Sequence, residues 1–72
     1  MSVSDALGKL STALRTRRLH LGRSQLQVGL EAGMDQSQYG KIERGEHDVQ
    51  FRTLIRVADA LEITPSELLR NI

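Results

Sequence analysis

The chain has no cysteine and no tryptophan, and only one proline, one tyrosine and one phenylalanine among its 72 residues. Without cysteine there is neither a disulfide framework nor a thiolate metal site. His20 and His47 are the only imidazoles, and two isolated histidines do not build a zinc site, so neither metal nor other cofactor is expected. No apolar run approaches the roughly 20 residues that a membrane span needs. The start, Met1-Ser2-Val3-Ser4-Asp5, lacks the basic and apolar regions of a secretory signal. The sequence therefore predicts a cytoplasmic protein with no membrane partner. So short a chain has little room for a substrate cleft. It also offers no nucleophilic triad, no paired-carboxylate site and no phosphate-cradling glycine loop, which excludes most enzyme classes.

What is present is ordinary for a small single domain: 39% apolar and 26% charged residues. The net charge of +1 hides an asymmetry. Residues 1–45 carry seven Lys/Arg against four Asp/Glu, a balance of +3, while residues 46–72 carry three against five, a balance of −2. Arg15, Arg17, Arg18 and Arg23 concentrate in the basic part. Such a division suits one face for a polyanion and another for something else. On charge alone, a solvated charged surface is the simpler explanation.

No period-2 run of β-branched residues marks a strand, whereas helix signals recur throughout, and the fold class is all-α. Ser4 is a candidate cap for a first helix from about Asp5 to Leu21 that stops at Gly22, with Leu7, Leu10, Leu14 and Leu21 at helical spacing. Ser24 caps a second, Gln25 to Ala32, ending at Gly33. Asp35 caps a third, Gln36 to Arg44, ending at Gly45. The fourth runs from about Phe51 to Leu61, with Phe51, Leu54, Ile55, Ala58 and Leu61 on one face and either Asp48 or Gln50 as its cap. Thr64-Pro65-Ser66-Glu67 reads as a capping box with proline at the first helical position, opening a short last helix through Leu68, Leu69 and Ile72.

Only Gly33-Met34-Asp35 separates the second and third helices. Gly33 can adopt the left-handed conformation that stops a helix, Met34 can then enter the core, and Asp35 restarts the chain. Helices joined so tightly cross steeply, as in a helix-turn-helix. Gly29 lets the two approach closely, at a cost of about 1 kcal/mol in helix propensity relative to alanine.

The segment Ser24-Gln25 to Gly45 resembles the Cro/CI-type (XRE) helix-turn-helix of phage repressors and bacterial regulators. The likeness rests on Gly29, Gly33, Met34, Tyr39 and the closing Ile42-Glu43-Arg44-Gly45. It extends upstream through Leu14-Arg15-Thr16-Arg17-Arg18 and downstream through Val57-Ala58-Asp59-Ala60-Leu61, covering about Leu7 to Leu69. The resemblance implies a five-helix, lambda-repressor-like DNA-binding domain spanning residues 1–72. The length without a second domain also resembles the small controller proteins of restriction–modification systems. Departures from the family pattern are Gly29, where alanine is frequent, Arg23, where an apolar residue is frequent, and Glu46-His47-Asp48, where phage repressors tend to be basic.

With Tyr39 and Ile42 turned inward at 100° per residue, Ser37, Lys41 and Arg44 point outward, flanked by Gln36 and Gln38. Gln36, Ser37, Gln38 and Lys41 are the candidate base readers, on a helix able to enter a major groove about 12 Å wide; a merely solvated polar face is the bland alternative. Gly40, near this face, suits close approach of DNA. Gln25, at a helix N-terminus, is a candidate phosphate contact, and the resemblance implies the same role. Arg15, Arg17 and Arg23 are further candidate phosphate contacts as a set, although for each taken alone a solvated charge is the simpler explanation; Arg44, at the end of the third helix, is a candidate phosphate contact too. Leu26 and Leu30 make a second apolar stripe on the second helix. Burial is the ordinary explanation, and a patch for another protein such as RNA polymerase the functional one.

Arg18 follows Leu14 by one turn on the inner stripe of the first helix, and Glu43 follows Tyr39 by one turn in the third. A charge on a core-facing stripe is costly unless paired. The signs are opposite and the resemblance also pairs these positions, so a structural Arg18–Glu43 salt bridge is expected. One module makes few DNA contacts, which calls for a pair on palindromic operator DNA. Apolar residues of the fourth and fifth helices, Ile55, Val57, Ile63, Leu68, Leu69 and Ile72, are the candidate homodimer interface. The expectation is thus a dimeric, sequence-specific transcriptional regulator. The rival is a helical interaction module, such as an adaptor or an antitoxin; a salt-dependent mobility shift on upstream DNA separates the two.

Overall fold

The computed structural model describes all 72 residues as five helices without strands: α1 (Val3–His20), α2 (Gln25–Glu31), α3 (Gln36–Glu43), α4 (Phe51–Ala60) and α5 (Pro65–Leu68). The first helix opens earlier than Ser4. Ser2 is its cap, with the Ser2 hydroxyl accepting from the Asp5 amide at 3.1 Å and the Asp5 carboxylate accepting from the Ser2 amide at 3.5 Å. A capping box needs a carboxylate or amide side chain three residues after the cap. Ser2 finds Asp5 there, whereas Ser4 would find Leu7.

The same reciprocal box starts both helices of the central motif. Ser24 and Gln27 close it on α2 at 3.1 and 2.8 Å, and Asp35 and Gln38 close it on α3 at 2.7 and 3.0 Å. The last helix has half of its expected box: the Thr64 hydroxyl accepts from the Glu67 amide at 3.2 Å. That helix ends at Leu68, and Gln50 precedes α4 without a side-chain cap bond.

The turn between α2 and α3 is a Schellman stop. Gly33 has φ of +80°, its amide donates to the Leu30 carbonyl at 3.1 Å, and the Met34 amide donates to the Gly29 carbonyl at 2.9 Å. Met34 then packs, half-buried, on the core. Gly22 and Gly45 end α1 and α3 with the same sign of φ. At the end of α4 the left-handed residue is Glu62, with φ of 55° and the same pair of hydrogen bonds from Glu62 and Ile63. A side chain there is disfavoured by about 1–2 kcal/mol, and contacts from α1 described below hold it.

The core joins Leu10 and Leu14 of α1, Val28 of α2, Tyr39 of α3, Leu54, Val57 and Ala58 of α4, Leu61, and Leu68 of α5. Leu21 packs against it, half-buried, and Leu7 of α1 is half-buried. The third helix packs against α1 and α2, while α4 packs against α2 and α5. A Cβ on Gly29 would stand 3.1 Å from the Asp35 carbonyl oxygen and 3.3 Å from the Tyr39 Cβ, so the close approach anticipated at Gly29 is present.

Three expectations change here. Val57 and Leu68, assigned to a surface for a second copy, are 0% and 3% exposed and belong to the core of the single chain. Phe51, placed on the inner face of α4, is 72% exposed. The inner face is Leu54, Val57, Ala58 and Leu61; Phe51 sits in the first turn, left uncovered by the other helices. Leu26 and Leu30, for which burial is the ordinary expectation, are 47% and 64% exposed.

Candidate nucleic-acid interface

The third helix divides cleanly into two sides. Tyr39 and Glu43 face inward and are buried, whereas Gln36, Ser37 and Lys41 are exposed and make no side-chain hydrogen bond or ion pair within the chain. Gln38 is exposed too, but its side-chain oxygen accepts from the Asp35 amide in the capping box. Of the four candidate readers, Gln38 is thus committed to starting the helix and three stand free.

The inner side is locked by charge. Arg18 meets Glu43 in a two-pronged pair, Nε to Oε2 and Nη2 to Oε1, both at 2.8 Å, with side chains 12% and 3% exposed. The second terminal nitrogen of Arg18 donates to the Arg23 carbonyl at 3.0 Å. Gln25 donates to Glu43 Oε1 at 3.4 Å, and the Ser11 hydroxyl donates to the Glu43 carbonyl. One arginine therefore joins α1, the α1–α2 loop and α3, with α2 attached through Gln25. Burial pushes the Glu43 carboxyl up, but the hydrogen bonds from Arg18 and, more weakly, Gln25 outweigh it and leave Glu43 below the usual carboxylate range. Burial, followed by the adjacent Glu43 carboxylate, drives the Tyr39 phenol well above its ordinary value. Its hydroxyl is enclosed beside the pair without a well-formed hydrogen bond.

The candidate phosphate contacts separate into internal and external groups. Arg17 is internal: its Nε donates to the Leu61 carbonyl and its Nη2 to the Glu62 carbonyl, each at 2.8 Å. Arg23 is internal as well, donating to the Ala60 carbonyl and pairing with Glu31 and Glu62. These two arginines satisfy the open carbonyls at the C-terminus of α4, where positive charge also suits the helix dipole. They hold Glu62 in its left-handed conformation. Their assignment to phosphates is accordingly corrected, because both guanidinium groups are committed within the fold. Arg15 is exposed and unpaired. Gln25 is half-buried at the N-terminus of α2. Arg44 is exposed at the end of α3 and pairs with Glu46, a partner that the sequence reading did not assign.

Gly40 is covered from within. A Cβ there would meet Arg44 Nη1 at 3.0 Å and Gln25 Oε1 at 3.4 Å. The space read as room for DNA is filled by this chain's own polar side chains. Gln25, Gly40 and Arg44 thus form one surface cluster beside the free readers.

No group of three or more His, Asp or Glu side chains is arranged to hold a metal ion. No helix is long and apolar enough to cross a membrane.

The comparisons agree with this geometry. A family model described as helix-turn-helix matches residues 14–68. The cryptic phage CTXphi transcriptional repressor RstR of Vibrio cholerae is 35% identical over 60 residues, which are 83% of this chain and 54% of that protein. The chain thus spans about half the length of this relative. Among solved structures, the restriction–modification controller protein C.AhdI from Aeromonas hydrophila superposes with a TM-score of 0.82 at 37% identity, covering 86% of this chain and 94% of the other. A point mutant of the restriction–modification controller protein C.Esp1396I superposes with a TM-score of 0.83 over 90% of this chain and 84% of the other; at 22% identity it speaks for the fold alone. With a match over residues 14–68 and the two capped helices of the motif inside it, the chain belongs to the XRE-type helix-turn-helix family.

Proposed function

We propose that the protein is a sequence-specific DNA-binding transcriptional regulator that places α3 in the major groove. The observation that carries this is the free face of α3. Gln36, Ser37 and Lys41 have no internal partner, yet the helix bearing them is fixed on its other side by Tyr39 and the Arg18–Glu43 pair. A rigid helix that presents unpaired donors and acceptors suits base-edge readout: a glutamine amide matches adenine N6 and N7, and a lysine donates to guanine O6 and N7. Arg15, Gln25 and Arg44 supply the backbone contacts. The relatives named as a transcriptional repressor and a controller protein support the same reading.

Function as a two-fold homodimer on palindromic operator DNA completes the proposal, with reading helices about 34 Å apart, one turn of the duplex. Exposed Phe51, Ile55 and Ile72 and half-buried Ile63 and Leu69 supply its apolar surface. A mobility shift on the DNA upstream of the coding gene tests the whole. The expected result is a retarded band that weakens steeply with salt and outcompetes unrelated duplex. Equal retention of unrelated duplex, or none of either, contradicts it.

Leu26 and Leu30 favour one addition. Their exposure leaves an apolar patch on α2, suited to a protein contact such as RNA polymerase once the regulator is on DNA.

A further inference from the structure

The end of α3 carries a carboxylate that the helix itself does not call for. Glu46 follows the stop at Gly45, and its amide donates to the Lys41 carbonyl at 3.1 Å, which fixes its backbone at the helix C-terminus. The negative end of a helix dipole disfavours an acid there. Its side chain nonetheless turns back to pair with Arg44 Nε, and that hydrogen bond holds the Glu46 carboxyl below the usual range. The paired Arg44 in turn lies along α3. Its Nη1 fills the space over Gly40, within reach of the point that Gln25 Oε1 also faces. An alanine at position 40 would place a Cβ 3.0 Å from that nitrogen, so the absent side chain leaves room for the guanidinium to lie this close to the helix.

We propose that Glu46 is an internal mimic of a DNA phosphate: it clasps Arg44 against Gly40 in the free protein and must be displaced before Arg44 meets the backbone of the duplex. This rests on the DNA-binding reading above. An arginine whose charge is already balanced adds little to the neutralisation of phosphates. The clasp therefore lowers affinity for every sequence alike and leaves discrimination to Gln36, Ser37 and Lys41. Asp48, two residues on, adds a second negative charge to the same loop.

The test uses the full chain and a short duplex of mixed sequence, titrated by fluorescence anisotropy over a series of NaCl concentrations. Glu46→Gln is expected to bind roughly threefold tighter than the unaltered protein at low salt, the size of an exposed ion pair. That gain should shrink as salt rises, because salt screens the exposed Arg44–Glu46 pair of the unaltered protein. In an Arg44→Ala background the same replacement should gain little. Equal affinity of Glu46→Gln and the unaltered chain overturns the clasp. So does an undiminished gain without Arg44, because Glu46 would then act only through its own charge. A DNA-free readout keeps the two readings apart. Exchange of the Arg44 Nε–H, followed by NMR, should be slowed in the unaltered protein and quickened by Glu46→Gln; unchanged exchange overturns the clasp. Absence of DNA binding by every variant while exchange responds as expected removes the DNA reading and leaves the ion pair without its phosphate competitor.

Discussion

Glu43 is the residue on which the motif turns. It is nearly enclosed and takes both prongs of Arg18, a hydrogen bond from Gln25 and, at its carbonyl, one from Ser11. Removing one member of such a buried pair leaves the other unpaired, at a cost of about 3–5 kcal/mol. Glu43→Ala should therefore lower the unfolding free energy in urea by that amount, and a variant as stable as the original would refute the structural role. The sign with pH follows from the direction of its shift. A carboxyl held below its ordinary value of 4.5 contributes stability that is present above the unfolded value and lost as pH falls through the folded one. Urea midpoints measured from pH 7 downward should stay level to about pH 5 and then fall. Glu43→Gln should lack that part of the fall.

At the scale of the elements, the sequence carried most of what matters. Gly22, Gly33 and Gly45 stop helices as their positions suggest, and Ser24 and Asp35 cap α2 and α3. The pairing of Arg18 with Glu43 was legible because two opposite charges fell on two inward stripes and the family resemblance pairs the same positions. Other features were hidden for physical reasons. The Ser24–Gln27 and Asp35–Gln38 boxes have the spacing that identified Thr64–Glu67, but Gln38 also falls among the candidate readers, where its amide looks free for a base edge. The end of α4 has no glycine to announce it, since Glu62 takes the left-handed place with help from Arg17 and Arg23. Those two arginines read as phosphate ligands because a sequence shows charge without showing distant carbonyls. Arg17→Ala should accordingly lower stability by about 1.5–3 kcal/mol, the usual worth of hydrogen bonds from a charged group. It should leave the salt dependence of DNA binding unchanged, where loss of a phosphate contact would flatten the slope by about one. Ser24→Ala should cost about 1 kcal/mol in the same denaturation assay.

For the molecule as a whole, the homodimer proposed above rests on the exposed apolar groups of α4 and the C-terminal region. Two of the six residues first assigned to a dimer surface, Val57 and Leu68, are core, and Phe51 takes their place outside. Periodicity alone misplaced Phe51 because a first-turn residue can share the inner stripe and still find nothing to cover it. Phe51→Lys should shift sedimentation from dimer to monomer at micromolar concentration while the helical circular dichroism is kept; a dimer that persists places the interface elsewhere.

If α3 reads DNA through Gln36 and Lys41, as proposed, selection from a pool of randomised duplexes will show it. The unaltered protein should enrich a two-fold symmetric sequence. Gln36→Ala and Lys41→Ala should each relax preference at particular base pairs within it, by about 1–3 kcal/mol per position, while folding stability is held. Enrichment of the same sequence, at the same strength, by all three proteins would move the reading surface away from α3.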